Sequence, residues 1–113
     1  MKVAAVVSDL MLFSRIESAA RAAGAELTRV DSPSDIPPDA EVVLVDWSAR
    51  QPHWADALRR LSGPRLVLFG PHTDLEAHAA ARDVGLGPMW ARSKLLGSLT
   101  DIMDPPVAAP DRP

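Results

Sequence analysis

The chain has 113 residues, 47% hydrophobic and 24% charged, which supports one domain around one apolar core. Its formal charge of −3, with twelve Lys and Arg scattered along it, argues against a nucleic-acid partner. Cysteine is absent, which excludes disulfides, thiolate metal sites and a cysteine nucleophile; Asp9 interrupts the opening MKVAAVVSDL before it could act as a leader or span a bilayer, so a cytoplasmic location is expected.

In chain order, KVAAVVSD (2–9) reads as a strand. It is followed by a helix over FSRIESAARAAGA (13–25), with Phe13, Ile16 and Ala20 on one face and Gly24 as C-cap. ELTRV (26–30) reads as a second strand. The next ten residues, DSPSDIPPDA, stand where a crossover helix belongs, but prolines at 33, 37 and 38 forbid one and leave a turn around Ser34–Ile36.

EVVLVD (41–46) is a third strand, continuous enough to be buried on both faces, and it ends in the carboxylate of Asp46. A helix follows with Trp54, Leu58 and Leu61 on one stripe, beginning near Pro52 and stopping at Gly63 and Pro64. RLVLFG (65–70) is a fourth strand; the helix after it has Thr73 and Glu76 at capping-box spacing and is closed by Gly85. PMWARS (88–93) is the fifth strand, and from Ser93 an amphipathic helix repeats Leu95, Leu96, Leu99, Ile102 and Met103. The expected domain covers residues 1–104, and the proline-rich remainder, 105–113, is expected to be a disordered tail.

Alternating strands and helices argue for a parallel sheet with helices on both faces, because parallel neighbours need a crossover. The expected fold is α/β, flavodoxin-like and doubly wound, with five strands in the order 2-1-3-4-5 and the second helix short or missing. That order brings Asp9 and Asp46, at the carboxyl ends of strands 1 and 3, to one crevice.

Over nearly the whole chain to about Met103, this pattern resembles the receiver domains of two-component response regulators, which are CheY-like. In the resemblance Asp46 takes the place of the phosphoacceptor and Asp9 that of the second acid of the Mg²⁺-binding pair. Ser8 stands where the first acid would be, Gly70 where the family has Thr or Ser, and Arg92 where it has lysine. Phosphoryl transfer to a carboxylate needs a metal, an in-line nucleophile and donors that stabilise the transition state. Asp9 and Asp46 alone imply weak Mg²⁺ at best, Gly70 has no hydroxyl, and a guanidinium does not substitute for a compact ammonium.

Asp46 is therefore either a phosphoacceptor with Asp9 as metal ligand, or, with Asp9, an inherited strand end that is solvated or paired with Arg92; the second reading makes the chain a pseudo-receiver. The family's partner surface, its fourth helix, fifth strand and fifth helix, falls on about 75–103 and here includes Met89, Trp90, Arg92, Lys94 and Leu95. Trp90 could equally lie in the core, since strand residues alternate. His53, His72 and His78 lack the spacing of a metal motif, and the serines lack nucleophile-elbow glycines.

The expected role is a signalling or regulatory protein-interaction module, non-catalytic, independent of phosphorylation and without a resident cofactor, acting through a protein partner or self-association and not through a membrane. One alternative is a single-domain response regulator phosphorylated on Asp46 with Mg²⁺. The other is a small-molecule binder with a pocket near Ser8, Asp9, Ser48 and Gly70.

Overall fold

The computed structural model describes residues 1–103, and the expected tail over 105–113 lies outside the described residues. In chain order the elements are β1 (Lys2–Val6), α1 (Leu10–Ala23), β2 (Glu26–Val30), β3 (Val42–Asp46), α2 (Trp54–Arg59), β4 (Arg65–Gly70), α3 (Leu75–Asp83), β5 (Trp90–Ala91) and α4 (Arg92–Met103). The strands form one parallel sheet in the order β2-β1-β3-β4-β5, the doubly wound flavodoxin-like arrangement expected from the alternation.

Side chains alternate across each strand, so the sheet builds two cores. On one face Val3, Ala5, Leu44, Val67 and Phe69 pack against Leu12, Ile16 and Ala20 of α1 and Leu95, Leu99 and Ile102 of α4. On the other, Ala4, Val6, Val43, Val45 and Leu68 pack against Leu58 of α2 and Ala77 and Ala81 of α3. Central β3 is buried along its whole length, which is why its sequence is an unbroken apolar run.

The missing crossover helix is replaced by a short 3₁₀ turn over Pro33–Asp35, capped by the Ser32 side chain, which accepts the Ser34 backbone N–H. Ile36 and Ala40 from this segment close the second core in place of a helical stripe.

Several boundaries differ from expectation. Helix α1 begins at Leu10 and not Phe13, because the Asp9 carboxylate accepts the backbone N–H groups of Met11 and Leu12 and so starts the helix a turn earlier. The N-cap of α3 is Asp74, which accepts from Ala77 N, and not Thr73. Strand β5 is only two residues long, and α4 follows it without a break, starting at Arg92 instead of Ser93. Helix α2 is confined to six residues. At the end of α3, Gly85 adopts the left-handed conformation, with φ 77°, that closing this element requires.

Candidate functional site

Sheet order sets β1 beside β3, and Arg92 at the start of α4 reaches the acids at the carboxyl end of β3 and just beyond that of β1. Asp46 is the last residue of β3 and is 5% exposed. Its Oδ1 accepts the Ser48 backbone N–H at 3.2 Å and the Ser48 hydroxyl at 2.6 Å, which caps a 3₁₀ turn over Trp47–Ala49. A carboxylate two residues before a serine is an Asx-turn signal, and it is how Asp46 is held.

Asp9 is committed in the same way. Its Oδ1 accepts from Met11 N at 3.0 Å and Leu12 N at 3.1 Å. The second oxygens of both acids face one cation: Arg92 Nη1 lies 3.8 Å from Asp9 Oδ2, and Arg92 Nη2 lies 3.9 Å from Asp46 Oδ2. These separations give charge attraction rather than short bidentate hydrogen bonds. One guanidinium thus spans the two carboxylates, while its Nε is buried without a partner among the described residues.

The remaining positions fill in around this bridge. Gly70 ends β4 and is buried; a Cβ there would meet Met89 Sδ at 3.2 Å, so the methionine thioether holds the space where the family resemblance puts a hydroxyl. Ser8 is exposed. Lys94 lies apart from the acids, with its Nζ 4.4 Å from the centroid of the Trp90 ring.

Met89 and Leu95, expected on an exposed partner surface, are 5% and 0% exposed and belong to the two cores. Leu95 is buried because α4 continues directly from β5 and turns its 95, 99, 102 stripe onto the sheet. Trp90 is intermediate, packed against the first core with one side flanked by Lys94 and Arg65.

The donor set fits a resident Mg²⁺ poorly. Mg²⁺ demands near-octahedral oxygen ligation. Here one oxygen of each acid already holds protein donors and the other faces a guanidinium. No cluster of three or more His, Asp or Glu that could hold a metal occurs among the described residues. The small-molecule crevice expected near Ser8, Asp9, Ser48 and Gly70 is also divided: Ser8 lines a cleft with Val30, Asp31 and Trp54, whereas Asp9 lines another with Met11, Arg92 and Leu96.

No protein-family model matches the sequence, and no curated protein matches it closely enough to count as a relative. Solved structures do match. A response regulator receiver domain protein from Clostridium thermocellum superimposes with a TM-score of 0.59 at 15% identity, covering 90% of this chain and 93% of that one. A response regulator receiver protein from Burkholderia phymatum gives a TM-score of 0.61 at 18% identity, covering 96% and 98%. At such identities the likeness establishes the fold, and function rests on the site. Among the described residues no helix is long and apolar enough to cross a membrane.

Proposed function

We propose that the chain is a receiver-like signalling module that acts through protein contacts, without catalytic turnover and independently of phosphorylation. The observation that carries this reading is the Arg92 guanidinium set between Asp9 and Asp46. A fixed cation in that place supplies permanently the neutralising charge that a metal would bring, and it faces the one oxygen of each acid that holds no hydrogen bond. Gly70 and Met89 support the same reading, since the glycine has no hydroxyl and the methionine fills the room through which a modified Asp46 would be sensed. The receiver fold shared with the two structural neighbours supports a signalling reading.

The contact surface is the exposed side of β5 and the start of α4. There the half-exposed Trp90 ring, with Lys94 and Arg65 beside it, offers the residue types that dominate interface energetics. Intact mass after incubation with Mg²⁺ and acetyl phosphate, beside an Asp46→Asn control, tests the proposal. The wild type is expected to gain no phosphoryl adduct. An adduct absent from the control would replace this reading with that of a phosphorylatable receiver.

A further inference from the structure

Away from the carboxylates, a cleft of about 400 Å³ opens between the loop after β3, α2 and α3. Ala55, Ala80 and Val84 give it apolar walls, and its polar side chains come from Trp47, Arg50 and Gln51. These are three donor-bearing groups with no acid among them. The Trp47 side chain is 2% exposed, yet its Nε1 has no hydrogen-bond partner among the described residues. An indole nitrogen can only donate, and a buried donor left unpaired is costly, so an acceptor from outside the chain would relieve it.

Arg50 stands over the same ring, its guanidinium carbon 5.6 Å from the centroid, and donates only to the Trp47 carbonyl at 3.3 Å. No carboxylate lies within 4.0 Å of it among the described residues, whereas Arg92 nearby has two. Gln51 is scarcely better held, its amide reaching the Ala49 carbonyl at 3.5 Å.

We infer that this cleft binds a small organic carboxylate, with a flat apolar body against Ala55, Ala80 and Val84 and its carboxylate between the Arg50 guanidinium and the Trp47 indole N–H. A single unpaired cation matches a monoanion, and the apolar walls favour a hydrocarbon body over inorganic phosphate. The Trp47 Nε1 is closed to solvent, so the proposed site requires Arg50, half-buried and held by one long hydrogen bond, to move aside for the carboxylate to reach it. This site is separate from the Asp9–Arg92–Asp46 bridge, and the inference stands whether or not the signalling role holds.

Benzoate is a suitable probe, with benzamide as its uncharged counterpart. The sequence has three tryptophans, so a ¹⁵N-labelled sample gives three indole N–H signals, and Trp90→Phe and Trp54→Phe samples leave Trp47 assigned by elimination. Benzoate is expected to move the Trp47 signal saturably, with a Kd on the order of 1 mM, while the Trp90 signal stays in place. Benzamide and the variant Arg50→Gln should each weaken the response about tenfold, the value of one charge-assisted contact of about 1.4 kcal/mol. No saturable movement, an equal response to benzamide, or an unchanged response in Arg50→Gln would each overturn the assignment.

Discussion

Met89 occupies the space that a side chain on residue 70 would need: a Cβ built on Gly70 would lie 3.2 Å from Met89 Sδ and 3.3 Å from its Cε. Both atoms are at the flexible end of a polarizable side chain, so a small addition can be absorbed and a branched one cannot. Gly70→Ala is expected to cost less than about 1 kcal/mol and Gly70→Thr roughly 1–3 kcal/mol in urea unfolding. Met89→Ala alone opens a cavity and should cost about 2–5 kcal/mol, but the Gly70→Thr, Met89→Ala double variant should be more stable than the sum predicts. Strict additivity in that cycle would mean the two positions do not share space.

Arg92 serves two acids of different exposure. The Asp46 side chain is 7% exposed and Asp9 42%, so the contact with Asp46 carries most of the energetic weight. Arg92→Ala leaves Asp46 buried with only Ser48 to satisfy it, and a loss of about 1–3 kcal/mol is expected, with incomplete recovery in Arg92→Lys because an ammonium cannot span both acids. The same change frees the two outer carboxylate oxygens. Mg²⁺ should therefore raise the melting temperature of Arg92→Ala and leave that of the wild type unchanged. Equal stabilisation of both proteins would show that the guanidinium does not keep the cation out.

The sheet is legible in the sequence because Val42–Val45 and Leu66–Phe69 are short unbroken apolar runs bounded by polar or turn residues, as strands covered on both faces are. The prolines at 33, 37 and 38 likewise reveal the lost crossover helix. The start of α1 is not legible from periodicity, because Leu10 and Met11 are 69% and 83% exposed and contribute to no buried stripe; only the Asp9 cap marks it. For Leu95 the 95, 99, 102 spacing outweighs its place on the family's partner surface. The Arg92 bridge is not legible in the sequence, because the pattern sets Arg92 inside a strand over 88–93, whereas β5 is only two residues long and Arg92 begins α4.

At the other end of the sheet, Lys2 Nζ donates to an Asp39 carboxylate oxygen. The hydrogen bond and the opposite charge raise the Lys2 ammonium above the ordinary lysine value, and the hydrogen bond from Lys2 holds Asp39 below the usual carboxylate range. The Asp39 contribution is present above its unfolded pKa and is lost as pH falls through the lower folded value; that of Lys2 is complete below its unfolded pKa and is lost as pH rises through the higher folded one. Asp39→Asn should thus be less stable than wild type across neutral pH, by a small and salt-sensitive margin because both groups are exposed, and should converge with it in strong acid. Urea midpoints across pH would test this, and a gap that persists in strong acid would point to a cause other than the ion pair.

Asp9 combines two roles that a pair of substitutions can separate. Its Oδ1 caps α1 through Met11 and Leu12, and its Oδ2 faces Arg92 at 3.8 Å. Asparagine is as good an N-cap as aspartate but carries no charge, whereas alanine removes both functions. The pair with Arg92 is more than a third exposed on both sides, so its loss should cost no more than about 0.5 kcal/mol, while loss of the cap should cost about 1 kcal/mol or more. Asp9→Asn is therefore expected near wild-type stability and Asp9→Ala clearly below it, read from urea midpoints at constant m-value. If the two variants were equally destabilised, the charge facing Arg92 and not the cap would be what holds Asp9 in place, and a cation-binding role for this acid would regain support.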